Sequence, residues 1–282
     1  MRWKKMTIDR LAEYEKINGS NLVKCGNVWW REIRFLFYRP LNPFEILDSS
    51  GSNDCLPRLR LGYQHAVRDC HFANSCMNLL IFNNISEYSL KSLRHKRRNQ
   101  IKRAEKHISI RLAERNINFI QNAYQVYLDF YSRTRYKFFS KRRIREKFVI
   151  WLEDVFKYDE IVIHGAYLGN LLCAVNISYL VNNILFDASF FSSHEGLKFG
   201  SADMMWHIIR SDASTMAGDI KYIYEGGVTG KRSLDQSKII RGCQILKIPT
   251  YLSMNKMIFR FFRVIAPNRF KKLTGIDCGG GF

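Results

Sequence analysis

Ile161-Val-Ile-His-Gly-Ala-Tyr-Leu168 is a strand-length apolar run, and Leu171-Leu-Cys-Ala-Val-Asn-Ile-Ser-Tyr-Leu180 is a second. Gly169-Asn170 between them forms a two-residue turn, because both residues accept positive φ at little cost. Asn182-Asn183 makes another tight turn before a third strand, Ile184-Leu-Phe-Asp-Ala-Ser-Phe-Phe191. Ile184, Phe186, Ala188 and Phe190 share one face of that strand, while Asp187 and Ser189 share the other. A looser segment, Ser192 to Ser201, leads to a helix over Ala202–Ala217. Ile220–Glu225 then reads as a strand, stopped by Gly226-Gly227.

Upstream, Ile8–Ile17 reads as a short helix. Val28 through Tyr38 reads as an aromatic-rich strand that Pro40 and Pro43 end, and Met77–Phe82 reads as a buried strand. Turn signals cluster at Ser49–Asp54. Ser89 to His107 predicts a helix with Leu90, Leu93, Ile101, Ala104 and Ile108 as its buried stripe. From Leu90 to Arg115 there are 10 basic and 2 acidic residues. So dense a positive face repels itself unless an anion neutralises it, which makes Arg97, Arg98, Lys102 and Arg103 candidate anion contacts. Asn118–Arg133 and Ile144–Phe156 read as amphipathic helices. Between them, Arg133 to Lys147 holds 8 basic residues and 1 acidic one. There Arg135, Arg142 and Arg143 alternate with Tyr131, Tyr136, Phe138 and Phe139, a mixture suited to nucleic acid. Downstream, a strand over Cys243–Ile248 is broken by Pro249. A Phe/Arg helix over Asn255–Ala266 could lie on an anionic membrane or pack on the core. The Gly279–Phe282 end is expected to be floppy.

The 282 residues allow one large or two small domains, and 46% apolar residues suffice for a sizeable core. A formal charge of +20 attracts polyanions. The first ten residues lack a secretory h-region, and no run reaches the ~20 apolar residues that span a bilayer, so a cytoplasmic protein is expected. Seven cysteines without repeating spacing predict reduced thiols rather than a disulfide framework. His65, Cys70, His71 and Cys76 lack a Cys-x2-Cys knuckle, and no metal is expected. Gly226 to Arg232 falls short of a phosphate loop by one spacer and a hydroxyl.

The order of elements from Leu90 to Pro249 resembles the acyltransferase core of the GNAT superfamily, in its Fem-like branch. That branch includes the aminoacyl-tRNA-dependent peptidyltransferases of cell-wall synthesis. The residues carrying the likeness are His164–Asn170 with its hairpin, Tyr224–Gly227, Gly230–Gly242, the basic stretch Leu93–His107 and Thr134–Tyr136. The resemblance implies an α/β fold with a mixed, mostly antiparallel central sheet flanked by helices. It divides the chain into a reduced GNAT-like lobe or extension (1–88), the acyltransferase domain (89–252) and a basic C-terminal helix with its tail (253–282). It also implies transfer of an acyl group to an amine acceptor from acyl-CoA or from aminoacyl-tRNA. The family's phosphate loop, Gln/Arg-x-x-Gly-x-Gly/Ala, falls on Leu197–Ala202, where Leu197 replaces the polar residue. Gly200, Ser201 and Ala202 would then admit phosphate to a helix start, with Lys198 supplying charge. Glu225 is the leading candidate for base and Asp187 the second. Tyr224 is the candidate acid, and Lys238 an oxyanion or phosphate contact. The rival expectation is a non-catalytic binder of nucleic acid or membrane surface on a decayed transferase fold.

Overall fold

The computed structural model describes residues 3–48, 56–134, 139–230 and 232–275. The turn at Ser49–Asp54, the cation Arg135, the rings of Tyr136 and Phe138, and the Gly279–Phe282 tail lie outside them. The first elements are β1 (Lys5–Met6), α1 (Ile8–Ile17), β2 (Leu22–Cys25), β3 (Val28–Arg34), β4 (Phe37–Pro40), β5 (Gly62–Ala66) and β6 (Ser75–Phe82). Next come α2 (His95–Glu105), β7 (Ile108–Leu112), α3 (Ile117–Thr134), α4 (Arg145–Val155), β8 (Ile161–Leu168), β9 (Leu171–Val181) and β10 (Ile184–Ser192). The last are α5 (His194–Lys198), α6 (Ser201–Ser214), β11 (Tyr222–Gly227), α7 (Arg232–Ile240), β12 (Gln244–Met254), α8 (Lys256–Ile265) and α9 (Pro267–Thr274).

The chain forms two compact units, one from Met1–Met6 and Phe82–Glu225, the other from Thr7–Ile81 and Gly226–Phe282. In the first, the strands lie in the order β11-β10-β9-β8-β7. β7, β8, β9 and β10 pair antiparallel in sequence, and β11 joins β10 parallel. β1 pairs parallel with β9 at Leu180 and Val181, just beyond the last residue that β8 covers. Gly169 (φ 61°) and Asn182 (φ 55°) supply the left-handed conformations of the two hairpin turns. His164, Asn176 and Phe190 face each other across β8, β9 and β10, so they share one side of the sheet. Phe191 takes the other side and meets Tyr127 of α3, their rings 5.5 Å apart. α6 covers the His164 side, and α3 with α4 covers the Phe191 side. The helix expected from Ser89 begins only at His95. Ser89 and Ser92 bond each other's backbone N–H in a capping box, closing a separate turn over Leu90–Ser92.

In the second unit the order is β2-β3-β4-β5-β12-β6. Val28–Tyr38, expected as one strand, is a hairpin. Leu36 turns with φ 52°, and its N–H donates to Glu32 Oε1 at 2.6 Å. Pro249 does not break β12. The strand pairs with β6 over Gln244–Thr250 and with β5 from Thr250 on, so Pro249 sits one residue before the β5 ladder, where a missing N–H costs nothing on that edge. Since β12 is paired on both edges, residues from both ends of the chain build one sheet. The compact units therefore differ from a division at 88/89 and 252/253. α1 has the expected bounds, with Thr7 Oγ1 accepting from Arg10 N–H at 3.2 Å. Trp30, 1% exposed, centres a cluster with Cys25, Tyr38 and Leu56. Cys70, Cys76, Cys173 and Cys243 are free thiols, as expected, but Cys25 is disulfide-bonded. Among the described residues no helix is long and apolar enough to cross a membrane.

Candidate active site

The parallel neighbours β10 and β11 part company. They pair at Ile184↔Tyr222, Leu185↔Ile223 and Phe186↔Tyr224, and at no further described residues. Yet β10 continues to Ser192 and β11 to Gly227. At the same level β10 slips in register against β9 between Asp187 and Ser189, which bends the strand. Asp187 and Glu225 are the first residues on the two strands beyond that pairing.

Tyr224 and Glu225 are consecutive on β11, so their side chains leave on opposite sides of the sheet. Tyr224 packs edge-on against Phe186, ring centroids 5.2 Å apart. Glu225 points to the α6 side and is 5% exposed. Its Oε1 lies 3.7 Å from Nη2 of Arg210, itself 3% exposed. The guanidinium also lies 4.1 Å from the Phe82 ring centre. Carboxylate and guanidinium thus form a buried pair inside the first unit.

A second polar group occupies the same face. Asn176, fully buried, donates from Nδ2 to Oδ1 of the half-buried Asp187, while its own Oδ1 lacks a partner. His164, opposite Asn176 on β8, is 2% exposed and its Nδ1 lacks a partner. Its Nε2 stands 3.9 Å from Asp212 on α6. Burial pushes the His164 pKa from 6.5 down to about 4, so the imidazole is neutral at pH 7 and the Asp212 contact is not an ion pair. Burial raises the Asp212 carboxyl.

A dependence on pH follows. The unfolded chain gains a proton near pH 6.5 that folded His164 refuses until about pH 4. Stability from this group is therefore complete above pH 6.5 and drains away as pH falls towards 4. The slope is about 1.4 kcal/mol per pH unit. His65 and His207, also lowered by burial, act with the same sign. Urea melts at pH 6.5 and pH 5 are expected to differ by about 2 kcal/mol from His164 alone. His164→Gln should remove that share.

At the start of α6, Gly200 has φ 85°, and a Cβ there would sit 2.9 Å from the Ala104 Cβ of α2. The small residue thus serves the approach of α2. Ser201 is buried, its Oγ 2.8 Å from Ser192 Oγ. Ala202 is half-buried. Lys198 pairs with Glu195 at 2.6 Å. Asp203 in the first turn takes Arg97 at 3.2 Å, so Arg97 faces inward rather than towards an external anion. Of the other proposed anion contacts, Lys102 and Arg103 are exposed, and half-buried Arg98 reaches Lys91 O at 3.3 Å. Arg142 is 9% exposed, its guanidinium 4.1 Å from the Phe139 ring centre and 3.8 Å from that of Trp151. Exposed Arg143 lies over Tyr131 at 5.1 Å.

Lys238 is on α7 in the second unit, half-buried. The loop before α7 is closed by Asp235, 8% exposed. Its carboxylate accepts from the Thr229 N–H at 2.9 Å, the Gly230 N–H at 2.8 Å and the Thr229 hydroxyl at 2.8 Å. Those N–H groups are the ones a phosphate loop would offer to an anion. The likeness of Gly226–Arg232 to such a loop therefore ends in an internal cap.

His164, Asn176, Arg210 and Asp212 were not among the sequence candidates. A signal existed for two of them. Asn176 is the one amide in a ten-residue apolar strand, and His164 the one imidazole in the strand beside it. Arg210 looked like any other cation on a basic chain.

No protein-family model matches this chain, and no curated protein matches it. Solved structures do. FemX superposes with a TM-score of 0.60 at 8% identity, covering 90% of this chain and 92% of FemX. L-PGS from Bacillus licheniformis gives 0.56 at 12% identity, covering 95% and 96%. The C-terminal domain of a putative lysylphosphatidylglycerol synthetase from Agrobacterium fabrum gives 0.56 at 9% identity, covering 86% of each. At identities this low the likeness speaks to architecture, and in architecture this chain has the GNAT-like fold in its Fem-like form.

Proposed function

We propose that this chain is a transferase moving an acyl or aminoacyl group onto an amine. The supporting observation is the parting of β10 and β11 beside two carboxylates, on a fold shared with FemX and L-PGS. Direct attack by an amine requires a base for its proton, a polarised carbonyl, and return of that proton to the hydroxyl or thiol that leaves as the ester or thioester bond breaks. Asp187 suits the base. It lies at the bulge, half-buried, with Asn176 fixing one of its oxygens. Glu225, the first candidate from sequence, is engaged with Arg210, and its role is to set the charge and shape of the cleft floor. Tyr224, on the opposite side of β11, serves a different part of the pocket from Glu225. Backbone N–H groups of the parted strands would polarise the carbonyl.

Of the two donors, aminoacyl-tRNA has more support than acyl-CoA. The helix start meant to cradle phosphate already has internal partners at Gly200, Ser201 and Lys198. Exposed Lys102 and Arg103 on α2 instead offer a surface for a longer polyanion. One structural neighbour, the C-terminal domain of a putative lysylphosphatidylglycerol synthetase, is named for a lipid that carries a lysyl group. The non-catalytic reading retains one specific support: Glu225 and Gly200 are both spent on internal contacts.

The test is release of radiolabelled amino acids from bulk charged tRNA to a simple primary amine, with acetyl-CoA in a parallel arm. Turnover above the blank is expected with charged tRNA. Asp187→Asn should reduce it by at least about 100-fold, the usual share of a general base. Binding of tRNA that collapses with salt, with no turnover from either donor, would establish the non-catalytic reading.

A further inference from the structure

Helix α8 is packed on one side and bare on the other. Phe259 and Phe262 turn towards the fully buried Phe270 of α9, with ring centroids 4.8 and 6.0 Å away. Met257, Phe261, Val264 and Ile265 are 81, 66, 78 and 64% exposed. Steps of four, three and one residues place these four in a single strip along the helix. Single apolar residues on a surface are ordinary, but four in register over a ten-residue helix make a patch. Lys256, Arg260 and Arg263 line one flank of the strip. Asn255 caps the helix through Oδ1, which accepts from Met257 N–H at 2.9 Å, so the strip is preformed.

We propose that this strip lays α8 flat on an anionic lipid bilayer. The four apolar side chains would enter the headgroup boundary, and the flanking cations would meet lipid phosphates. Charge selects this occupant. From Lys256 to Gly275 there are six basic residues and no acidic one. A second copy docking strip to strip would bring like charges together. The chain's own last seven residues offer a single acid, Asp277. Nucleic acid matches the cations but has no use for the apolar strip. The proposal goes beyond the transfer reading and stands without it.

The full chain is sedimented with vesicles of phosphatidylcholine alone or mixed with equal phosphatidylglycerol, at low and high salt. Binding to the mixed vesicles is expected, weaker on neutral ones. Phe261→Asp with Val264→Asp should weaken it by about tenfold or more, as should Lys256→Glu with Arg260→Glu. All four positions are exposed, so thermal midpoints should stay near that of the parent. Phe261→Trp adds a reading without loss of function, its emission shifting to the blue on mixed vesicles. Absence of sedimentation, or sedimentation that neither double variant alters, overturns the proposal. Self-association abolished by Phe261→Asp with Val264→Asp, with lipid binding intact, assigns the strip to a second copy instead.

Discussion

Arg210→Met is expected to destabilise the protein by about 3–5 kcal/mol, the usual cost of removing one partner from a buried ion pair. The side chains of Arg210 and Glu225 are each 4% exposed, so the carboxylate deprived of Arg210 has little access to water. Most of the loss comes from that stranded charge rather than from the missing contact. Arg210→Met combined with Glu225→Gln should therefore recover much of it, because no charge remains to be solvated. Urea denaturation of the two single variants and the double variant gives the coupling directly. Equal losses in the single and double variants would show that Glu225 keeps its charge by other means. The same cycle bears on the proposed mechanism, in which Glu225 contributes shape and field to the cleft and proton traffic falls to Asp187.

Phe148→Ala should cost about 3–5 kcal/mol, the range for emptying a buried aromatic site. Phe148 is fully buried on α4. Its ring meets Tyr127 at 5.2 Å, Trp151 at 5.3 Å, Tyr124 at 5.4 Å and Phe191 of β10 at 6.3 Å. The truncation loses the transfer energy of the ring, leaves a cavity, and forfeits several edge and tilted ring contacts. For a domain of this size the melting midpoint should fall by roughly 10 °C. Scanning calorimetry checks it. Phe148→Leu, which fills more of the space, should lose less than half as much.

The parts of the fold visible in the sequence were those set by local chemistry. β8 has the bounds its apolar run predicts, since Gly169 fixes where the chain must turn. The neighbouring strands and α3 were legible for the same reason, period and punctuation agreeing. What failed was set by distant partners. Nothing near Pro249 tells that β12 changes neighbours at Thr250, and nothing near Ser89 tells that two serines close on each other before the helix starts. The candidate site was less legible. Glu225 was singled out by its glycines, but its partner Arg210 comes from a helix fifteen residues earlier and was hidden among 45 basic residues. Arg97 and Arg142 were read as outward cations because sequence gives charge without direction; Asp203 and the Phe139 and Trp151 rings supply the direction.

The placement of β12 between β5 and β6 has a bearing on biosynthesis. A ribosome releases β5 and β6 long before it has made their shared neighbour. Through that interval two strand edges stand open while the whole stretch from Phe82 to Glu225, which needs only the first six residues besides itself, is free to assemble. The sheet of the second unit is thus the last part to mature, and chains cut short before Gln244 would carry a finished stretch from Phe82 to Glu225 together with a pair of adhesive borders.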